Sequence, residues 1–226
     1  MLNWEEITKS LDEKGFATTE PVLNPDQCNE LIAMYSDDRR FRSHIIMERF
    51  RFGLGEYKYF SHPLPEIVQH LRSDFYSGLA KIATSWNQRF GQSSSYPEKL
   101  EYYLHACHAK GQTKPTPLML KYQPGGYNCL HQDVYGEMVF PFQCTVLLSP
   151  KSAYEGGEFL LVEQRPRAQS RGEAIVCEQG EVIIFPVRDR PVHGNRGYYR
   201  TILRHGVSTI RSGERYTLGI IFHDAK

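Results

Sequence analysis

The chain has 226 residues, 40% of them hydrophobic and 23% charged, and its 27 Lys and Arg against 26 Asp and Glu give a formal net charge of +1. Such a composition supports a buried core and excludes a disordered chain, and the near-neutral balance offers no global pull toward nucleic acid or an anionic membrane. Five scattered cysteines (Cys28, Cys107, Cys129, Cys144, Cys177) with no CxxC pair argue against a disulfide framework or a structural zinc site and for a reducing cytoplasm.

The acidic, amphipathic start MLNWEEITKSLDEKG does not read as a signal peptide, and no run of about eighteen apolar residues suggests a membrane span. Residues 1 to 110 read as mainly helical. Trp4, Ile7 and Leu11 recur at helical spacing until Gly15 stops them, and Phe16 to Thr19 form a short extended stretch. Asn24-Pro25-Asp26 opens a second helix carrying Cys28, Leu31, Ile32 and Tyr35 on one side. A third runs from Pro65 to Phe90, with Ile67, Leu71, Phe75, Leu79 and Ile82 at spacings of three and four.

From Pro115 the texture changes to short β runs punctuated by glycine and proline. Seven strands are predicted, at 118–122, 142–148, 158–162, 174–177, 181–185, 201–207 and 215–222. Short strands without intervening helices indicate a sandwich or barrel, so residues 1–226 are expected to form a single domain. Its helical part spans 1–110 and its β part 115–226.

Within the β part, His131-Gln132-Asp133 follows a strand and a Pro-Gly-Gly turn. In extended backbone, residues i and i+2 share a face, so an imidazole and a carboxylate can converge on one ion. A second histidine from a distant strand would complete a three-ligand face, leaving the other positions of an octahedral iron(II) open. HxD alone is a common triplet, also met as a surface His and Asp after a turn. Near the C-terminus, Arg204-His205-Gly206-Val207 is followed by Ser212-Gly213-Glu214-Arg215. A guanidinium at Arg215, opening a strand, suits a bidentate grip on a carboxylate; its alternative is an ion pair with Glu214 or another acid. His193 competes with His205 as the distal histidine, but no basic residue stands ten positions after it. His105, Cys107 and His108 form a compact group without a partner pair at zinc spacing, expected to be a solvated strand end. His223-Asp224 reads as the exposed end of the last strand.

His131-x-Asp133 with His205 and, ten residues beyond it, Arg215 resembles the signature of the 2-oxoglutarate/iron(II) dioxygenases of the prolyl-hydroxylase-like type. Tyr122, the GFATTEPVLNPDQCNEL segment at 15–31, Gly156-Gly157-Glu158-Phe159-Leu160 and Gly180 to Pro186 also resemble elements of that group. The resemblance implies a mainly β double-stranded β-helix (jelly roll) with N-terminal helices packed on it. It implies Fe(II) held by His131, Asp133 and His205, with 2-oxoglutarate held at its far carboxylate by Arg215 and Tyr122, and O2 as oxidant. Arg196-Gly197-Tyr198-Tyr199-Arg200 and the ending Leu218-Gly219-Ile220-Ile221-Phe222-His223-Asp224 look like a bacterial oxygenase family predicted to repair alkylated nucleic acid. One departure stands out: AlkB-type repair dioxygenases carry a second arginine six residues after the co-substrate arginine, where this chain has Ile221.

Between Arg165 and Arg215 lie ten arginines and five acids, with Tyr198 and Tyr199 interleaved. Such a stretch could hold phosphates and stack bases, or could be ordinary solvated surface. The expected activity is therefore hydroxylation or oxidative demethylation of an unidentified substrate, nucleic acid being one candidate. Protein or small-molecule hydroxylation, a metal-dependent hydrolase or cupin-type enzyme, and a non-enzymatic ligand-binding β-barrel are the rivals.

Overall fold

The structure is a computed structural model that describes residues 2–134 and 136–226. α1 (Trp4–Lys14) starts at Asn3, whose side chain accepts from the Glu6 N–H, and ends where Gly15 adopts φ 85°. β1 (Ala17–Thr18) follows, and α2 (Pro25–Met34) begins in a reciprocal capping box between Asn24 and Gln27. The next stretch departs from the helical expectation. β2 (Phe41–Ile46), β3 (Gly53–Leu54) and β4 (Glu56–Phe60) are strands, with a 3-10 turn at Met47–Phe50 between the first two. α3 (Glu66–Arg89) and α4 (Leu100–Ala109) complete the helical part.

Beyond them come β5 (Leu118–Tyr122), β6 (Tyr127–His131), β7 (Phe142–Leu147), β8 (Tyr154–Gly156), β9 (Phe159–Gln164), β10 (Arg171–Ile175) and β11 (Val182–Pro186). β12 (Asp189–Gly194), β13 (Gly197–Val207), β14 (Ile210–Gly213) and β15 (Arg215–Ile221) close the chain. All seven predicted strands are present, as β5, β7, β9, β10, β11, β13 and β15; β6, β8, β12 and β14 are additional.

The major sheet has the order β1-β11-β7-β15-β5-β4-β2, and the facing sheet runs β10-β9-β13-β6-β3, with β12 paired to β13. Together they form a double-stranded β-helix. Alternation along the strands divides the major sheet into two faces. Cys144, Val146, Val182, Ile184, Leu218 and Ile220 join α1–α4 in the main core. Leu118, Leu120, Tyr122, Gln143, Thr145, Arg215 and Thr217 point the other way, into the space between the sheets. Trp4 anchors α1 on α3 at Gly78, where a Cβ would come within 2.2 Å of the indole. No helix among the described residues is long and apolar enough to cross a membrane.

The structure differs from the sequence expectation at two histidine-bearing segments. His105, Cys107 and His108 lie on α4, not at a strand end, and Cys107 is fully buried. His223 and Asp224 are not exposed: both are completely buried. The reason is Arg72 on α3, itself fully buried, which donates from Nε to the Ile221 carbonyl (2.9 Å) and from Nη2 to Asp224 Oδ1 (2.8 Å). Asp224 Oδ2 meets His108 Nε2 at 2.8 Å, so one carboxylate ties the end of the barrel to α3 and α4. Removing one member of a buried pair strands the other's charge, so Asp224→Ala should lower the unfolding free energy by about 3–5 kcal/mol in denaturant titration.

His223 sits beside this pair, and its Nδ1 accepts from the Phe140 N–H. Burial, then the Arg72 charge, pushes its pKa down from 6.5 to about 4. Since the unfolded state takes up this proton first, stability is complete above the ordinary value and falls as pH drops from 6.5 toward 4. In His223→Gln that segment of the stability–pH curve should flatten relative to wild type.

Candidate active site

The donors of the candidate site come from two paired strands and the loop after one of them. β6 and β13 are antiparallel neighbours in the facing sheet, and their register sets His131 directly opposite His205. Their rings are 4.2 Å apart between centroids. Asp133, two residues beyond His131, turns back so that its oxygens lie 3.5 Å from His131 Nε2 and 3.3 Å from His205 Nε2. One ligand atom from each of the three residues lies within 4.8 Å of the others. His131 Nδ1 meets the Cys129 carbonyl at 2.8 Å, which orients Nε2 toward the cluster. Gln132, between His131 and Asp133, donates to the Leu203 carbonyl at 2.8 Å and fastens the end of β6 to β13. His205 is held between Phe159, stacked at 5.8 Å, and Phe185. His193, by contrast, is an exposed residue of β12 set edge-on to Tyr198, outside the cluster.

The electrostatics favour a cation. Burial alone would raise the Asp133 carboxyl, but the two imidazoles hold it well below the usual carboxylate range. Burial keeps His205 below its ordinary value against the pull of Asp133, so a lone pair is available at neutral pH. At His131 burial acts downward, yet Asp133 outweighs it and the value is raised. Two imidazole nitrogens and one carboxylate in a shared, open-sided cluster are the donor set of non-haem iron(II) centres.

Arg215 lies at the other end of the same cavity, which encloses about 400 Å³ and is lined by all three cluster residues as well as Tyr122 and Arg215. Arg215 is 4% exposed, and its Nε and Nη1 are buried with no hydrogen-bond partner. The alternative ion pair is not made: Glu214 turns outward to Lys121 and Gln123. Tyr122 stands opposite Arg215 in the β5–β15 register, fully buried, with its hydroxyl also unpartnered. Burial pushes its phenol up, opposed by the Arg215 charge. A buried cation and a phenol that both lack acceptors fit an anion entering from the cavity. Gln143, which sequence reasoning passed over, and Gly157 complete the site. Gln143 on β7 places Nε2 3.3 Å from His205 Nε2. Gly157 makes room for Arg215, since a Cβ there would come within 2.7 Å of the Arg215 Cδ, in a backbone at φ +67°; the Gly156-Gly157 pair was its only sequence signal.

The arginine-rich stretch disperses. Arg165 and Arg190 pair with Glu163, Arg188 and Arg200 with Asp189, Arg171 with Glu173, and Arg211 with Glu158. Tyr198 is occupied by Arg89 and His193. Six of the ten arginines thus have an acidic partner, of which only Arg190 is buried, while Arg167, Arg196 and Arg204 are exposed without an ion pair among the described residues.

Residues 55–225 match the Oxygenase-NA family model, described as an oxygenase catalysing oxidative methylation of damaged DNA. The chain is 52% identical over 167 residues to the uncharacterized protein Rv2227 of Mycobacterium tuberculosis, covering 74% of this chain and 72% of that one. Its fold is similar to a Pseudomonas putida prolyl-4-hydroxylase (TM-score 0.52, 14% identity, 99% of each chain). It is equally similar to a Burkholderia pseudomallei oxidoreductase of the 2OG-Fe(II) oxygenase family (TM-score 0.52, 15% identity, 99% of this chain and 93% of that one).

If Arg215 is kept for an anion rather than for the fold, Arg215→Met should leave the protein more stable, by about 1–3 kcal/mol in thermal or denaturant unfolding. The same variant should bind a five-carbon dicarboxylate about 100-fold more weakly by calorimetry. Loss of stability without loss of binding would assign Arg215 a structural role.

Proposed function

The chain belongs to the Oxygenase-NA family, oxygenases here built on the fold of the 2-oxoglutarate/iron(II) enzymes, and from that premise we propose that it hydroxylates an alkyl carbon on nucleic acid with O2 and 2-oxoglutarate at an iron(II) centre held by His131, Asp133 and His205. The observation that carries this reading is the shared cavity. It has a two-histidine, one-carboxylate cluster at one end and an unpartnered Arg215–Tyr122 pair at the other. A hydrolase or cupin-type site would have no use for that buried guanidinium, and a passive barrel would have no use for the cluster.

The residues divide the work. His131, Asp133 and His205 would hold the ion through two imidazole nitrogens and one carboxylate, a donor set that leaves positions for co-substrate and oxygen. Arg215 and Tyr122 hold the far carboxylate of 2-oxoglutarate, so its keto-acid end is directed along the cavity toward the cluster. Leu118, Leu120, Phe159, Phe185 and Ile221 line the space between and keep water out. When bound, iron(II) and 2-oxoglutarate supply the oxidising power: O2 is consumed, 2-oxoglutarate loses CO2 to give succinate, and a C–H bond becomes C–OH. On a carbon attached to a base nitrogen, the hydroxylated product falls apart to the free base nitrogen and an aldehyde, which is demethylation when the carbon is a methyl.

The helices and the major sheet share one core, which supports treating 1–226 as one catalytic unit. Five free cysteines, four of them buried, favour a reducing, cytoplasmic setting. Succinate formation with iron(II), O2 and a methylated single-stranded oligonucleotide is the direct test. Wild type should produce succinate and aldehyde in equal amounts. His131→Ala and Asp133→Ala should lose at least about 1,000-fold in rate together with tight iron binding, since the open ion site needs all three donors. Unchanged turnover in either variant would remove the metal site from the mechanism.

A further inference from the structure

Part of the cavity wall beside the cluster is formed by Arg51 and Phe52, in the segment 47–54. Met47 is completely buried and anchors it, and the Phe52 carbonyl accepts from the Cys129 N–H at 2.8 Å on the edge of β6. Between these two fixed points, Phe50 and Phe52 stack on each other at 5.5 Å and 20° while remaining 53% and 46% exposed. Arg51 between them holds a left-handed backbone (φ 60°, ψ 31°), a conformation that costs a non-glycine residue about 1 kcal/mol or more and that gathers at ligand sites. Arg51 and Phe52 line the cavity directly, together with Leu130 and His131. Leu130 and Val134, on either side of His131 and Asp133, are exposed apolar residues as well. Arg49 and Arg51 are exposed and make no ion pair among the described residues, in contrast to six of the ten arginines between Arg165 and Arg215.

Two flat, stacked rings exposed to water, with two exposed arginines next to them in the chain, match a chain of aromatic rings joined by phosphates. The cluster lies inside a cavity of about 400 Å³, so the reacting carbon cannot be reached while its base is stacked within a duplex. We propose that Arg49, Phe50, Arg51 and Phe52 form the substrate clamp, in which the two phenylalanines stack an unpaired base of single-stranded nucleic acid and the two arginines hold the adjoining phosphates. The inference rests on the nucleic-acid reading above and adds the element that selects unpaired strands. A peptide would also be attracted to exposed apolar rings, but it needs apolar area rather than a flat face.

The test uses that difference. Binding of a fluorescein-labelled single-stranded 12-mer is followed by anisotropy for wild type, Phe52→Leu, Phe52→Trp, Phe50→Leu, Arg49→Gln and Arg51→Gln, with the melting temperature of each variant as the check on folding. The leucine variants keep apolar area and lose the ring; they should weaken binding about 5- to 100-fold, while Phe52→Trp should keep it. Each arginine variant should reduce the slope of log affinity against log salt by about 0.7. Wild type should prefer the single strand to the same sequence as a duplex. Leucine variants that bind as wild type does, while wild type binds the oligonucleotide, would overturn the clamp and leave the proposed substrate class standing. A wild type that binds no oligonucleotide but turns over a peptide would overturn both.

Discussion

The antiparallel pairing of β6 with β13 fixes His131 across from His205, and the loop that leaves β6 turns Asp133 back to within 3.5 Å of both imidazoles. A one-residue slip of either strand would turn a histidine to the outside and dismantle the cluster. The register is guarded from several directions. β9 and β12 also pair with β13, Gln132 binds the Leu203 carbonyl, and the Phe159 and Phe185 rings pack against His205. The geometry of the cluster therefore depends on the pairing of β13 with β6, β9 and β12.

The same sheet geometry explains why Arg215 can be left uncompensated. β15 lies between β5 and β7 in the middle of the major sheet, so its backbone is paired on both sides, and Leu218 and Ile220 on its other face are sealed into the helical core. That packing is strong enough to carry a buried guanidinium with two unsatisfied donors, a cost that binding of a carboxylate would relieve. Arg72 presents the opposite case. It is just as buried, but its charge is answered by Asp224 and by backbone carbonyls, and it serves to fasten the end of β15 to α3. One buried arginine is tied into the structure, and the other keeps two donors unpartnered toward the cavity, as the proposed carboxylate site requires.

Much of this was legible in the sequence. The seven predicted strands, the capped helices α1 and α2 and the long α3 follow from periodicity and from Gly15 and Asn24-Pro25, and the five expected site residues all line one cavity. β2–β4 were missed because Arg42, His44 and Lys58 interrupt the apolar alternation of half-buried strands; Lys58 is buried by pairing with Asp38, a contact no local pattern reveals. α4 lacks a side-chain cap and is rich in aromatic residues, so its start carried no signal. His223 and Asp224 were misjudged because burial at a chain end depends on Arg72, far away in sequence. The two readings left open for the arginine-rich stretch could not be separated for the same reason: composition counts charges, whereas six of these ten arginines find their acids only after folding. Phe50 and Phe52 gave no sequence signal because aromatic residues are ordinarily buried, and only the structure shows these two in water.

The most direct measurement is a crystal structure of the protein grown without oxygen in the presence of iron(II) and 2-oxoglutarate, with the metal identified by its anomalous scattering. The account predicts a single iron peak bonded to His131 Nε2, Asp133 and His205 Nε2, with one 2-oxoglutarate chelating that iron and its far carboxylate on Arg215. Iron bound elsewhere, or a dicarboxylate that leaves the Arg215 guanidinium unpaired, would contradict it.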